Sequence, residues 1–354
     1  RSDLRHDGGD PTGRRRLSKI ADALNDRHRW DGRVAFVLAV RNEEAGLAAT
    51  VESIRAQVGG AGPLAIAVAP SDDDTWVVAQ ALAATDPQIA VVSNPEGWVS
   101  HGLNRAIAAT DEEFVVRVDG HCTLPPDYTS LALEALDRTN ADVVGGVQSA
   151  VGGPGTQEAV AVAMSSRLGV GNSRFHYGGA EGPSDTVYLG VFRRSGLERV
   201  GGFDETLLRN QDYELNWRIR DTGGTVWFVP SMVVTYRPRP SFGALASQSR
   251  QYGTWKREML RRHPRSTKLR QLVAPVMVLG VTATAAFALW AEDVRWLVPA
   301  AGYAVAVTVG GLNAGRSTSM KSRVRVPAAL AVMHWAWGLG FLFGRPTPPP
   351  DTTA

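Results

Sequence analysis

The stretch V-A-F-V-L-A-V-R-N-E-E, residues 34–44, places a run of apolar residues directly before a polar turn. An apolar run of this length, bounded in this way, predicts a buried strand over residues 34–40. Apolar side chains then recur at Leu47, Val51 and Ile54, which is the spacing of one face of a helix. This stretch therefore predicts a strand–helix unit.

The same order of elements recurs downstream. The further strands and helices are predicted at residues 64–69, 76–84, 89–92, 100–109 and 114–118. Strands that alternate with helices predict an α/β domain, in which a mainly parallel sheet carries helices on both faces and binds ligands at the carboxyl ends of its strands. We therefore expect the chemistry in the loops after Val40, Ala69 and Val118. The half beginning near Gly145 is expected to form a second lobe over the first.

Three nearly charge-free stretches occupy the last third of the chain, at residues 272–291, 296–315 and 326–344. Each has the ~20 residues that a helix needs to cross a hydrocarbon core of about 30 Å. A buried helical hairpin in a soluble domain is the alternative. Three such stretches in series favour membrane spans.

The charges that flank these stretches predict an orientation. Residues 256–270 carry seven basic residues and one acid, and residues 316–325 carry four basic residues and no acid. The link at residues 292–295 has two acids and one base. The positive-inside rule then predicts a multi-pass protein of the cell membrane, with a cytoplasmic N-terminal domain and an extracytoplasmic C-terminal tail.

The composition excludes several classes of protein. With 354 residues, of which 44% are hydrophobic, the chain can bury a core, and 38 Lys and Arg against 35 Asp and Glu do not indicate a polybasic nucleic-acid binder. The single cysteine, Cys122, excludes an intramolecular disulfide and a multi-cysteine zinc site. A metal would be held mainly by oxygen or histidine ligands, and Cys122 is expected to be a small buried residue.

Two motifs carry candidate catalytic groups. In V-D-G-H-C, residues 118–122, Asp119 and His121 lie on one side of an extended segment and could share a divalent cation. The alternative is an Asp-Gly turn that happens to precede a histidine, because it would give the same sequence. In R-N-Q-D-Y-E-L, Asp212 is the candidate general base. Glu214 is expected to stabilise the start of a helix instead.

The segment Q-S-R-Q-Y-G-T-W-K-R, residues 248–257, combines amides, aromatic rings and cations just before the first predicted span. Tryptophan, tyrosine and basic residues are typical of a membrane interface with anionic lipid. The same residue types could also grip a substrate. Both interpretations stay open at this point.

Taken in order, V-L-A-V-R-N-E-E, S-D-D-D-T, G-L-N-R-A-I, V-D-G-H, G-G-F-D-E, N-Q-D-Y-E-L and Q-Y-G-T-W resemble a family-2 glycosyltransferase of the GT-A fold. The resemblance is to the ExoA-like branch of membrane-attached exopolysaccharide transferases. It implies a Rossmann-like, mainly parallel α/β domain in the cytosol, followed by three transmembrane helices. The implied segments are a flexible tail (1–33), the transferase domain (34–255), a basic juxtamembrane segment (256–271), the membrane region (272–344) and a C-terminal tail (345–354).

The resemblance further implies an inverting transferase that uses a nucleotide-diphospho sugar and Mn²⁺ or Mg²⁺. Its acceptor would be a lipid-linked sugar or polysaccharide at an anionic bilayer, and nucleic acid is not an expected partner. Matched by position, Asp119 and His121 hold the metal and Asp212 is the catalytic base. The donor nucleotide would be bound by Asn42, Glu43, Asp73, Asn104 and Asp119, and the acceptor or diphosphate by Gln251, Trp255, Lys256 and Arg257.

The sequence departs from the family pattern at two places. Thr254 replaces the arginine of the Q-x-x-R-W motif, so Lys256 or Arg257 would have to contact the phosphate. Val68 or Ala69 stands where an acidic residue usually reads uracil, which leaves UDP, GDP and dTDP open. A polyprenyl-phosphate glycosyltransferase, a processive synthase and a non-catalytic scaffold or sugar-nucleotide sensor remain alternatives, and the oligomeric state stays open.

Overall fold

The computed structural model describes residues 32–57 and 62–347. Most of the two tails predicted at residues 1–33 and 345–354 lies outside the described residues. The strands are β1 (Val34–Val40), β2 (Leu64–Val68), β3 (Ile89–Ser93), β4 (Phe114–Asp119), β5 (Val143–Ala150), β6 (Gly182–Pro183), β7 (Tyr188–Arg193) and β8 (Val226–Tyr236).

Helices connect the strands and continue to the end of the described chain. They are α1 (Leu47–Arg55), α2 (Thr75–Thr85), α3 (Val99–Ala108), α4 (Tyr128–Thr139), α5 (Thr156–Met164), α6 (Arg167–Val170), α7 (Arg194–Val200), α8 (Gln211–Asp221), α9 (Phe242–Arg262), α10 (Val273–Trp290), α11 (Val298–Ala314), α12 (Met320–Arg323) and α13 (Val326–Phe343). Short 3₁₀ turns lie at Arg174–His176, Pro264–Ser266, Leu269–Gln271 and Val294–Leu297.

The eight strands form one sheet in the order β3-β2-β1-β4-β7-β5-β8-β6. Strand β1 runs parallel to β2 and β4, with Val40 opposite Val68 and Ala39 opposite Asp119. The loops after these three strands therefore meet at one edge, as predicted. The expectation of a second lobe is wrong, because β5 to β8 pair edge to edge with the first strands and extend the same sheet.

Helices cover both faces of the sheet, because alternate residues of the buried strands point to opposite sides. One apolar cluster joins Phe36 and Val116 to Ile54 on α1 and to Leu133 on α4. The other cluster joins Val37 and Val115 to helices α3, α7 and α8. Because helices cover both faces of the sheet, the ends of the strands remain as the place where a ligand can bind.

The last three long helices match the predicted spans to within a few residues. Three segments are long and apolar enough to cross a membrane, namely Val273–Trp290, Val294–Ala314 and Met320–Phe343. They are preceded by α9, a continuous helix of 21 residues. The predicted boundary between residues 255 and 256 thus falls inside a helix.

Candidate functional site

The loops after β1 and β2 are braced against each other. The side chain of Asn42 accepts from the backbone N–H of Asp72 at 2.9 Å, and the backbone N–H of Glu44 donates to Asp73 at 3.1 Å. Asp73 also accepts from the hydroxyl of Thr75, and this hydrogen bond in particular holds the pKa of Asp73 below its usual range. These contacts bring three predicted donor-binding residues, Asn42, Glu43 and Asp73, into one pair of loops.

A buried arginine joins the two candidate catalytic carboxylates. Arg117 on β4 places one terminal nitrogen 2.6 Å from Asp119 and the other 2.7 Å from Asp212, at the start of α8. Residues 117 and 119 are two apart on a strand, so both side chains point to the face that α8 covers. The end of β4 and the beginning of α8 therefore form one site.

Neighbouring charges alter the pKa values of Arg117 and Asp212. Burial raises the pKa of Asp212, and so does the Asp119 carboxylate, while Arg117 opposes the rise. Burial alone would lower the pKa of Arg117, but the two carboxylates raise it above its ordinary value. Within the described residues, Oδ1 of Asp212 is buried and accepts no hydrogen bond. A substrate hydroxyl would remove the cost of that unmet acceptor.

His121 is held by another predicted donor-binding residue. Its Nδ1 lies 2.8 Å from Oε1 of Glu43, and this hydrogen bond raises the pKa of His121. Over residues 32–57 and 62–347, no three His, Cys, Asp or Glu side chains converge as a metal site. Asp119 and His121 would therefore need ligands from the substrate or from water to complete a coordination shell.

Asn104 serves a different purpose from the one predicted. Its amide oxygen accepts from the backbone N–H of Phe203, and its amide nitrogen donates to the Phe203 carbonyl and to Glu205, each at 2.9 Å. The side chain thus fixes the G-G-F-D-E loop on α3. The structure brings Asn104 to this loop rather than to Asp73 or Asp119.

Helix α9 contacts the turn that precedes Asp212. Arg209 donates to Gln251 at 3.3 Å, and the side chain of Asn210 donates to the backbone carbonyl of Tyr252 at the same distance. The Tyr252 side chain is 39% exposed. Gln251 and Tyr252 therefore lie beside the start of α8.

The other three residues predicted on this segment point elsewhere. Trp255 is only 6% exposed, because the helix turns that face inward. Lys256 is buried with its ammonium group 3.5 Å from the centre of the Tyr213 ring, and Arg257 donates to the backbone carbonyl of Leu342 at 2.7 Å. The expectation that Lys256 or Arg257 contacts a phosphate is not met, since both charged groups are used inside the fold.

Sequence reasoning missed three cations and a phenol near the site. Arg117 was recognisable as the one charged residue inside an otherwise apolar strand, V-V-R-V. Burial raises the pKa of Tyr252, and the positive charges of Arg209 and Arg239 oppose this rise. Arg239 likewise opposes the raised pKa of His121, so both arginines lie near the site. The hydroxyl of Tyr188 donates to Asp119 at 3.5 Å. No spacing rule connected these three residues to β4.

Two structural expectations are confirmed. Glu214 is buried and pairs with Arg218 at 2.6 Å and with His263 at 3.0 Å, so it stabilises α8. Cys122 is a free, buried thiol, and burial raises its pKa to about 12. Neither residue has the properties of a catalytic nucleophile or base.

Comparison with known proteins gives the class of the domain. Residues 35–201 match the family described as "Glycosyl transferase family 2". The chain is 29% identical over 314 residues to the succinoglycan biosynthesis protein ExoA of Rhizobium meliloti (strain 1021), covering 86% of this chain and 93% of that protein. It is 27% identical over 256 residues to the pre-mycofactocin glycosyltransferase of Mycobacterium tuberculosis (strain CDC 1551 / Oshkosh), covering 70% of this chain and 50% of that protein.

A solved structure shares the architecture. The mannosyltransferase PcManGT from Pyrobaculum calidifontis, in complex with GDP-Man and Mn²⁺, is similar with a TM-score of 0.57 and 17% identity, covering 95% of this chain and 97% of that one. This likeness concerns the fold. Residues 35–201 are therefore a glycosyltransferase family 2 domain with a GT-A-like fold, and three helices that could span a membrane follow it.

Proposed function

We propose that this enzyme transfers one sugar from a nucleotide-diphospho sugar to a hydroxyl group of a membrane-associated acceptor, with inversion at the anomeric carbon. The observation that carries the proposal is the pairing of Asp119 and Asp212 with the single guanidinium of Arg117. One carboxylate follows a strand on the donor side and the other opens a helix. Such a pair can hold the leaving group and activate the acceptor in one site.

On the donor side, we assign the nucleotide to the braced loops that carry Asn42, Glu43 and Asp73. Asp119 and His121 would hold Mn²⁺ or Mg²⁺. These ligands fit, because Mg²⁺ usually binds through one or two carboxylates together with substrate phosphates and waters. The cation, when bound, would neutralise charge on the leaving diphosphate. The GDP-Man and Mn²⁺ bound to PcManGT support this assignment.

We assign the protein's cationic contacts with the diphosphate to Arg209 and Arg239. Both guanidinium groups act electrostatically on Tyr252, and Arg239 also acts on His121. An arginine fork matches the geometry of phosphate oxygens.

On the acceptor side, Asp212 accepts the proton of the attacking hydroxyl. Arg117 orients the carboxylate, and burial raises the pKa of Asp212, which makes it a stronger base than an exposed aspartate. Gln251 and Tyr252 lie where they can contact the acceptor sugar. Asp212 is therefore the catalytic residue of the proposal, and Arg117 is a positioning residue.

The acceptor is proposed to be a lipid-linked sugar or polysaccharide, presented to a cytoplasmic catalytic domain at the cell membrane. Similarity to a succinoglycan biosynthesis protein and the three apolar helices support this setting. Several basic residues of the juxtamembrane segment are already paired, for example Arg262 with Asp204 and Glu258. Arg265 and Lys268 are exposed, so we assign contact with anionic lipid to them.

The variant Asp212→Asn tests the proposal. Transfer to a hydroxyl acceptor should fall by about 10²–10⁴-fold, because the general base is lost. Donor binding should persist, measured as a thermal shift with UDP-, GDP- and dTDP-sugars in the presence and absence of Mn²⁺. Full transfer by Asp212→Asn would contradict the base assignment. Activity retained only with a polyprenyl phosphate acceptor would favour that alternative, since an ionised phosphate needs no base.

A further inference from the structure

The first end of the last apolar helix, α13, is packed on the catalytic domain. Val326 and Leu330 join a buried cluster with Val160 of α5 and Leu245 of α9. Just before the helix, Ser322 accepts a hydrogen bond at 2.7 Å from the backbone N–H of Gly155, which precedes α5. The beginning of α13 thus lies against the glycosyltransferase domain.

The far end of α13 is packed on the same domain. Phe341 contacts the cluster formed by Tyr213, Met259 and Leu260, on the helices that carry the base and the acceptor segment. Arg257 donates to the carbonyl oxygens of Leu342 and Gly344. Helix α13 is about 27 Å long, at 1.5 Å per residue. Both of its ends therefore contact the catalytic domain.

Helices α9 and α13 approach each other closely where they pack together. A Cβ atom at Gly253 would stand 2.0 Å from the carbonyl oxygen of Trp337, and one at Gly340 would stand 2.1 Å from that of Arg250. If α13 crossed the bilayer, α9 would accompany it with Arg250, Arg257 and Glu258. A charged side chain at the centre of a membrane is strongly unfavourable unless it is paired or lines a water-filled cavity.

The preceding helices, α10 and α11, also contact α13, and Val307 of α11 joins the same buried cluster, but neither helix runs along α9 and its charges. They carry exposed apolar side chains along their length, among them Val276, Leu279 and Val305. Their connection holds Phe287 and Trp296 with ring centres 4.5 Å apart, next to the exposed Arg295. Aromatic rings followed by charges are typical of a membrane–water interface. The connection is therefore suited to the far side of a bilayer.

We propose that only α10 and α11 cross the membrane, as a hairpin, and that α13 lies along the near surface between the catalytic domain and the lipid. The bilayer is the partner of its outer face, where Leu339 and Phe343 are exposed. The basic loop at residues 316–325 and the end of α13 then lie on the same side as the catalytic domain. This replaces the extracytoplasmic C-terminal tail expected from charge alone.

Cysteine labelling in cells tests the arrangement. Arg295→Cys, Ser317→Cys and Thr347→Cys each add one thiol at an exposed position, in the hairpin connection, in the basic loop and beyond the end of α13. The unsubstituted protein is the control, because Cys122 is buried. A membrane-impermeant maleimide is applied to intact and to permeabilised cells, and Arg345→Cys repeats the last position.

We expect Ser317→Cys and Thr347→Cys to label alike, only after permeabilisation, and Arg295→Cys to label in intact cells. Opposite behaviour of positions 317 and 347 would show that α13 crosses, and identical behaviour of positions 295 and 317 would show that the hairpin does not. The proposal rests on the membrane attachment proposed above but not on the transfer reaction. Its failure is therefore distinguishable from loss of activity in Asp212→Asn.

Discussion

Arg117 and Asp212 form an ion pair of 2.7 Å between the middle of the sheet and the first turn of α8, and the same guanidinium binds Asp119. Two carboxylates that repel each other are thus held side by side by one cation. The proposed reaction needs the two carboxylates close together, and Arg117 is the residue that holds them so.

Replacing Arg117 by methionine should remove this support. We expect a loss of about 3 kcal/mol in the free energy of unfolding, the lower end for a broken buried pair because both carboxylates keep some exposure. The double variant Arg117→Met/Asp212→Asn should recover part of it, since one uncompensated charge is removed. Denaturant unfolding in detergent measures both. Equal stability of the single and double variants would show that the pair is not coupled.

Replacing Asp119 by alanine should abolish metal-dependent stabilisation by the donor. Binding stabilises by about 2.7 kcal/mol at a hundredfold excess of ligand over Kd, and that gain should vanish. Asp86→Asn is the control, because Asp86 pairs with Arg55 outside the site. His121→Ala should weaken binding less, since one ligand of several is lost. An Mn²⁺-dependent shift of normal size in Asp119→Ala would rule out the metal assignment.

Helix α9 offers a matched aromatic pair. Tyr252→Ala should impair transfer to the acceptor far more than donor hydrolysis, because Tyr252 is partly exposed and its backbone carbonyl contacts Asn210 at the start of α8. Trp255→Ala should instead cost about 3–5 kcal/mol of stability, the usual effect of truncating a buried aromatic side chain. Transfer, hydrolysis and melting temperature are measured on both. Selective loss of transfer in Trp255→Ala alone would reverse the assignment.

Lys256 should make stability depend on pH. Burial lowers its pKa to about 7 from the ordinary 10.5. Between these values the unfolded chain binds the proton and the folded one releases it, so stability should rise with pH by up to about 1.4 kcal/mol per unit. Lys256→Met should flatten this rise from about pH 7 to about pH 9 and leave donor affinity unchanged. Weaker donor binding would instead return Lys256 to the phosphate site.

The sheet and the two carboxylates proposed for catalysis were predictable from the sequence, because both follow from local rules. Strands alternating with helices specify where strand ends meet, and Asp119 is the last residue of such a strand, whereas Asp212 lies in the first turn of a helix. The faces of α9 were not predictable, because its apolar and polar residues do not separate cleanly. Which face turns inward is decided by α13, a partner far along the chain. The contacts of Asn104 were not predictable for the same reason, since its partners Phe203 and Glu205 are distant in sequence.

The packing of Phe341 on the cluster that includes Tyr213 has a consequence for the proposed acceptor. If α13 rests on the lipid surface as proposed, Asp212, the residue before Tyr213, would stand at a fixed height above the headgroups. A growing glycan can place its terminal hydroxyl at that height only when the number of sugars between lipid and terminus suits it. In this arrangement the membrane surface would be the reference from which acceptor length is measured. The enzyme would then distinguish acceptors by how far their terminal hydroxyl extends from the lipid.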